Sequence, residues 1–326
     1  MRRTRLHGLL MRREALYGID SGPTPLAHGV QLEESPWNTL EVDYLERNER
    51  DQAAGSGLGS TSGAQPSGRW AKFRAVIALK GAAAAADVPE IDVAFAACGL
   101  VRTDDATPGA EKRTWAPIAA GQEGESVTAY AYAGGLLYRI VGVRGKITNV
   151  QLTAAQICRV TMEFNGLLAG DPEDAVLPAI TYAQRALKPP VAGGGALSLN
   201  GYGPRWHSFA FDMGTELVAL ARGNAPGGHA GYGIVDYKPV VKAQIDVPPV
   251  LAAFNPWALE RTAEVFPWSI ALPGAQYNSW VIAGPAGQMA KAPPGERDKL
   301  AMVDVQIRVC GDDTDPAAAP FRLVQS

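Results

Sequence analysis

The sequence predicts a mainly β protein built from two tandem, homologous β-sandwich or barrel domains, each with a short helix and a long loop. The first observation is composition, since 36 Gly and 24 Pro with only 19% charged residues fit many short strands and turns. The second is length, because 326 residues suffice for two domains that each bury a core. The third is an internal repeat of the strand pattern.

Apolar and polar residues alternate in two segments, which indicates strands with one buried face. In segment 71–79 the residues predicted to point inward are Ala71, Phe73, Ala75, Ile77 and Leu79. In segment 158–165 they are Cys158, Val160, Met162 and Phe164, with Arg159, Thr161, Glu163 and Asn165 on the opposite face. Further strands are predicted at 37–45, 127–132 and 136–143.

One segment, 89–100, has the pattern of a short helix. Pro89 suits a helix start and Gly99 a helix end. Three apolar residues between them have helical spacing, namely Ile91, Phe95 and Cys98. We expect this helix to cover one side of the first sandwich.

Two segments lack apolar periodicity. Segment 47–69 is rich in Gly and Ser, which predicts a long mobile loop. Loops of this length in compact domains are usually functional or disordered. Segment 167–199 contains several prolines and three consecutive glycines, so we interpret it as a linker.

The strand pattern occurs twice in the same order. The matched blocks are 36–45 with 205–214, 73–79 with 241–247, and 158–166 with 303–311. Between the last two blocks, Pro89 matches Pro256, and the pair Gly142 and Gly145 matches Gly284 and Gly287. Any two amphipathic strands look alike, but collinear order across several blocks arises much less readily by chance. We therefore predict a duplicated domain.

The repeat sets the predicted boundaries. They are an N-terminal arm at 1–35, a first domain at 36–168, a linker at 169–199, a second domain at 200–311 and a C-terminal arm at 312–326. Loop 47–69 has a shorter counterpart at 222–238, whereas loop 102–124 is largely missing from the second domain.

Charge and motif content argue against catalysis and tight nucleic-acid binding. Thirty Lys and Arg stand against 33 Asp and Glu, so the chain has no basic field to hold a polyanion. The four histidines lack metal-ligand spacing, the GSGLGS stretch lacks the Lys-Ser/Thr of a phosphate loop, and GDDTDP lacks the Gly and Glu of a calcium loop. We predict no catalytic, cofactor or metal site, and no enzyme.

The cysteines and the N-terminus indicate an ordinary cytoplasmic chain. Cys98, Cys158 and Cys310 lie far apart and fit neither a disulfide framework nor a zinc site, so we interpret them as small core residues. The apolar run at residues 9–11 is too short for a signal peptide or a membrane span. We expect a soluble protein with no membrane partner.

Four stretches together resemble a known family. They are LYGIDSGPTPLAHGVQL at 16–32, PEIDVAFAACGLV at 89–101, ESVTAYAYAGGLLYRIVGVRGKI at 125–147 and TAAQICRVTMEFNGLL at 153–168. In this order they resemble the major tail tube proteins of long-tailed, non-contractile phages. Ile157, Cys158 and Arg159 replace the proline-led start that is usual for the last strand of that family.

The resemblance implies a structural protein of the virion tail, assembled in the host bacterial cytoplasm, that forms stacked rings around a channel for DNA and the tape-measure protein. It also implies a tail terminator and distal tail proteins as partners at the ends, and no cofactor. Rings of this family are six-fold or pseudo-six-fold. Two tube domains per chain would therefore give homotrimeric rings by head-to-tail contacts, with a six-chain ring as the alternative.

The same reading assigns two groups of candidate contact residues. Contacts between stacked rings are expected from the two loops and the arms, mobile in the free subunit, with the loop residues Asn48, Arg50, Asp51, Leu58, Asn224, His229 and Tyr232. The wall strands contribute Arg159, Glu163, Asp304 and Arg308, whose charge order is reversed between the matched strands. Opposite charges could then face each other where the two domains meet.

Two other classes remain open from the sequence. The first is another virion role for the same fold, such as a tail terminator or a decoration protein. The second is a carbohydrate-binding or hydrolytic β-sandwich, which exposed aromatic residues and long loops would suit.

Overall fold

The chain folds as a mainly β protein, as the sequence predicts. The structure is a computed structural model and describes residues 7–44, 47–50, 62–107, 110–119, 121–191, 194–225, 228–311 and 318–326. Within these ranges no helix has the length and apolar character needed to cross a membrane.

Within its described residues, the first half of the chain contains twelve strands, a 3-10 helix at Pro36–Thr39 and one α-helix. The strands are β1 (His7–Arg13), β2 (Gly29–Val30), β3 (Glu41–Tyr44), β4 (Arg47–Arg50), β5 (Ser62–Pro66), β6 (Arg69–Ala78), β7 (Leu100–Asp105), β8 (Lys112–Pro117), β9 (Val127–Ala133), β10 (Leu136–Thr153), β11 (Arg159–Leu168) and β12 (Glu173–Asp174). The helix α1 (Ile91–Ala97) lies between β6 and β7.

The second half contains the remaining strands and one α-helix. The strands are β13 (Ala196–Leu199), β14 (Trp206–Asp212), β15 (Thr215–Ala221), β16 (His229–Tyr237), β17 (Val240–Asp246), β18 (Val265–Leu272), β19 (Trp280–Lys291), β20 (Pro294–Arg297), β21 (Leu300–Cys310) and β22 (Arg322–Gln325). The helix α2 (Pro256–Thr262) begins after Asn255, whose side chain accepts a hydrogen bond from the Ala258 amide.

The strands and the helix predicted with the clearest periodicity are confirmed. All the predicted inward residues of β6 and β11 are buried, from Ala71 to Leu79 and from Cys158 to Phe164. The strands at 127–132 and 136–143 are present as β9 and β10, although β10 continues through two bulges to Thr153. The helix is confirmed as α1, with Ile91, Phe95 and Cys98 buried.

The two halves have the same order of paired strands. In the first half antiparallel pairing runs β1–β9–β10–β11–β6–β3. In the second half it runs β13–β18–β19–β21–β17–β14. The hairpin β4–β5 follows β3, and the hairpin β15–β16 follows β14. A bulge also falls at corresponding places, after Ile147 in β10 and after Met289 in β19.

The strand pairing in the structure changes the register of the match between β6 and β17. If β11 is matched with β21 as the sequence comparison has it, Met162 corresponds to Ile307. Their partners on the neighbouring strands are Ala75 and Val241. The sequence match placed Phe73 with Val241, which has the right apolar phase but is two residues out of register. Alternation alone fixes the face of a strand but not its register.

The predicted strand at 37–45 is only partly correct. Residues Pro36–Thr39 form a 3-10 helix, and the strand is limited to β3 at Glu41–Tyr44. Proline supports the helical turn because its fixed φ suits a first helical position. The matched segment Trp206–Asp212 is extended throughout, so the two blocks differ in conformation.

Both segments predicted as loops contain strands. Segment 47–69 includes β4 and β5, and the counterpart at 222–238, predicted as a loop, is mostly β16. The glycines of GHAGYG suggested a loop, but two of them are buried inside β16 at Gly231 and Gly233. At Gly231, where φ is 109°, a Cβ would overlap the Tyr17 ring of the first half, which explains why glycine is used at this position.

The predicted linker and arms also hold parts of the sheet. The linker segment includes β12 and β13. Gln184, which lies between these strands in the sequence, is buried, and its backbone N–H donates a hydrogen bond to Glu90. The N-terminal arm contains β1, which pairs with β9 along its whole length. The C-terminal arm contains β22, which pairs with both β19 and β8.

Candidate functional site

A continuous sheet joins the two halves of the chain. Residues Val150 to Thr153 of β10 pair antiparallel with Ser208 to Phe211 of β14. Two flanking backbone hydrogen bonds extend this junction, from Ala154 N to His207 O (2.9 Å) and from Met213 N to Ile147 O (3.2 Å). The sheet therefore runs β6–β11–β10–β14–β17–β21–β19 without a break.

The junction has one apolar and one polar face. On the apolar face Leu152 pairs with Phe209, and both are buried in the core. On the polar face cross-strand partners form a row from one half to the other: Arg159, Gln151, Ala210, Lys242, Gln306 and Lys291. Over the second half this face contains a groove of about 310 Å³ between β14 and β19.

The four predicted wall residues all lie on this polar face. Arg159 and Glu163 alternate with the buried residues of β11, and Asp304 and Arg308 alternate with those of β21. Glu163 pairs with Lys146 of its own half, with 3.1 Å between the charged atoms. Asp304 accepts a hydrogen bond of 2.9 Å from Gln244.

The predicted charge complementarity between these residues is wrong for the junction inside the chain. Both edges of β11 are occupied, by β6 and β10, and both edges of β21 are occupied, by β17 and β19. The halves meet through β10 and β14 instead. Strand β10 therefore lies between β11 and β14 in the sheet, and the charges of Arg159 and Glu163 do not select the partner strand at this junction.

The hairpin β15–β16 makes a second contact with the first half. Tyr17 donates a hydrogen bond from its hydroxyl to Gly142 O (3.0 Å) and accepts one from Tyr232 N (2.9 Å). Arg144 donates to Tyr232 O (2.8 Å) and to Gly124 O (2.9 Å), and its guanidinium lies 4.9 Å from the Tyr17 ring centroid. Arginine over an aromatic face gains cation–π attraction when it is desolvated.

Burial governs the acid–base properties of this contact. Desolvation raises the pKa of Tyr17, while the hydrogen bond from Tyr232 and the charge of Arg144 oppose the rise. Desolvation also raises the pKa of the Tyr232 phenol to about 12. Both phenols are therefore neutral near pH 7.

The structure changes the predicted set of ring-stacking residues. His229 and Tyr232 are buried, with 2% and 7% of their surface exposed, so they contact their own chain and offer no free surface. Asn224 is exposed in the turn of the hairpin. Asn48 and Arg50 belong to β4, and Asp51 and Leu58 lie outside the described residues.

His229 makes its contacts within the hairpin β15–β16. Its Nδ1 accepts a hydrogen bond of 3.0 Å from Gly231 N, and its ring packs against Tyr232 with centroids 5.1 Å apart. Desolvation lowers the pKa of His229. These contacts bury His229 within its own chain, which does not fit the predicted role of an exposed contact.

A third contact between the halves is aromatic. Trp115 of β8 stacks on Trp280 of β19 with ring centroids 5.2 Å apart, and Phe95 of α1 packs edge-on against both. Trp115 Nε1 donates to Asp92 (2.8 Å), which also binds Arg13 and Arg102. These two tryptophans belong to different halves, and sequence spacing gave no signal that they meet.

Sequence reasoning also missed the roles of Tyr17 and Arg144. Tyr17 was noted only within the stretch at 16–32 that carries the family resemblance. Arg144 interrupts an otherwise apolar run in β10 and is 5% exposed. An arginine in a buried strand needs hydrogen-bond partners, so this interruption was the available signal.

Neither side-chain clusters nor comparisons with known proteins indicate a function for the part of the chain that the structure describes. Across the described ranges no three His, Cys, Asp or Glu side chains cluster as metal ligands do. A scan against protein-family models finds no match to the chain, and a search of the curated proteins also finds none. A function for the chain is therefore argued from its own strand order and junction.

Proposed function

We propose that this chain is a wall subunit of a tube built from stacked rings. The particular class proposed is the major tail tube protein of long-tailed, non-contractile phages, as the sequence resemblance implies. The observation that carries the proposal is the β10–β14 junction, because it joins two units that have the same strand order. The shared order also supports the duplication inferred from the sequence.

The β10–β14 junction is of the type that repeats around a ring or along a filament. It is heterologous, since one unit contributes the strand at the β10 position and the next unit contributes the strand at the β14 position. Heterologous contacts that repeat by rotation close into rings or continue as helical filaments. Six units complete a ring in the proposed class, so three copies of this chain would suffice, with six chains as the alternative.

The polar face is the proposed channel wall. It carries the predicted wall residues Arg159, Glu163, Asp304 and Arg308, and it contains the groove over the second half. DNA and the tape-measure protein would pass along it. Its charges are mixed in sign, and pairs such as Lys146 with Glu163 reduce the positive charge available to hold phosphates.

Electron microscopy of the purified chain tests the proposal. We expect tubes or stacked rings with a central channel when the protein is concentrated. Single rings that never stack would favour a tail terminator instead. Monomers at every concentration, or glycan binding by the monomer, would contradict the tube role and favour the carbohydrate-binding alternative.

A further inference from the structure

We infer that neighbouring copies in the ring meet through β3 of one copy and the end of β19 of the next. This inference rests on the proposed function, and its template is the junction inside the chain. There β15 lies against β10 of the preceding unit, and Met213 N donates to Ile147 O at 3.2 Å. If every unit contacts the preceding unit in this way, the first unit of the chain does so through β3. In a ring, the unit that precedes it belongs to a second copy.

Strand pairing identifies the corresponding residues on one side of this contact. Val42 pairs with Ala71, and Thr215 pairs with Tyr237. Ala75 and Val241 are matched residues of the two halves. Ala71 lies four residues before Ala75, and Tyr237 lies four residues before Val241. Val42 therefore occupies in the first half the position that Thr215 occupies in the second.

Thr215 is buried inside the chain, whereas Val42 is exposed, as expected if only a second copy covers Val42. Thr215 is 7% exposed, because β15 lies against β10. Val42 is 40% exposed, on a strand whose residues from Glu41 to Asp43 are all exposed. An apolar residue on a strand exposed on both faces is suited to burial against a partner sheet.

The opposite surface is identified by the shared bulge. Ile147 is the last residue before the bulge in β10, and Met289 is the last residue before the bulge in β19. In the described part of the chain, β19 beyond Gln288 pairs with β21 and with no second strand, and helix α2 packs against β19. The edge at Met289–Lys291 is thus the counterpart of the edge that receives β14 and β15.

The contact between copies must be shorter than the one inside the chain. Trp257 Nε1 donates to Ala292 O at 2.8 Å, which occupies an edge carbonyl just past Lys291. Pro293 and Pro294 follow, and neither has an N–H to donate. On the other copy, the 3-10 helix Pro36–Thr39 interrupts the extended backbone. These features limit pairing by free chains, as natural edge strands do.

The variant Val42→Asp tests the inference in the full chain. A carboxylate buried at the copy interface without a partner should raise the concentration for half-maximal ring formation by about 100-fold, measured by native mass spectrometry. The melting temperature of the monomer should stay unchanged, because Val42 is exposed there. Val218→Asp is the matched control, since Val218 is 39% exposed on β15 and should leave ring formation intact.

Two further variants keep the test decisive. Val42→Thr introduces the residue that the internal junction accepts at this position and should form rings like the wild type. Thr215→Asp should lower the melting temperature, because its site is buried within the chain. If Val42→Asp forms rings at the same concentration as the wild type, or if Val42→Thr forms no rings, this inference alone is overturned. A wild-type chain that stays monomeric overturns the proposed function as well.

Discussion

At the scale of single residues, a few buried polar groups connect strands within the first half and between the two halves. Tyr17 and Arg144 of the first half bind both backbone groups of Tyr232 in the second half. Asp92 binds Arg13, Arg102 and the Trp115 indole while it is 6% exposed. Such groups stabilise a fold only while each keeps its partners, because an orphaned buried polar group costs more than its hydrogen bond contributes.

The Tyr17 hydroxyl is the group whose loss is cleanest to test. Tyr17→Phe leaves Tyr232 N without its acceptor, so we expect the free energy of unfolding to fall by about 1–3 kcal/mol. Tyr130→Phe is the matched control, since the Tyr130 hydroxyl contacts an exposed carboxylate and its loss should change stability by no more than about 0.5 kcal/mol. Urea unfolding measures both, and equal effects would contradict the role of Tyr17.

Burial of Tyr232 predicts a loss of stability in alkali. Its pKa is raised to about 12 in the folded chain, against about 10 when unfolded. Between these values the folded chain binds more protons than the unfolded chain, so its free energy of unfolding falls as pH rises. Urea unfolding at pH 9, 10 and 11 should show a shallower decline for Tyr232→Phe than for the wild type. An unchanged slope would show that Tyr232 titrates freely.

At the scale of elements, sequence patterns identify the strands that have one buried and one open face. Strands β6 and β11 meet this condition, and their inward residues were predicted correctly. Strand β16 was missed because its buried glycines resemble a loop, and β22 because four residues carry too little periodicity. The β10–β14 junction could not be predicted either, since pairing between distant strands depends on tertiary packing that periodicity does not encode.

Strand β22 gives a test at this scale. It pairs with β8 of the first half and β19 of the second, and Leu323 is fully buried while Arg322 beside it is exposed. We expect Leu323→Ala to lower the free energy of unfolding by about 2–5 kcal/mol. Arg322→Ala should change it by no more than about 0.5 kcal/mol, and a similar loss for both would contradict the integration of β22 into the sheet.

At the scale of the whole molecule, the proposed duplication makes the contact between the two halves a template for the contact between copies. The halves share a sheet, an aromatic cluster and the Tyr17 contact, whereas the proposed contact between copies has a shorter edge. The chain should therefore behave as one rigid pair of units. Its ends, β3 and β19, would provide the weaker and reversible contact.

This difference predicts the order of events in denaturant. Rings should dissociate into intact chains at a lower urea concentration than the one that unfolds the chain, because the contact inside the chain is more extensive. Analytical ultracentrifugation follows dissociation, and tryptophan fluorescence follows unfolding, because the buried residues Trp115, Trp268 and Trp280 then reach water. Coincident transitions would contradict the predicted weakness of the contact between copies.

The central claim is that the chain supplies two similar units to one closed ring. Native mass spectrometry of isolated rings, combined with end-on micrographs of the same sample, tests it most directly. We predict three chains of 34.4 kDa per ring and six similar densities around the channel. A monomeric chain, or a ring whose number of densities is not twice its number of chains, would contradict the claim.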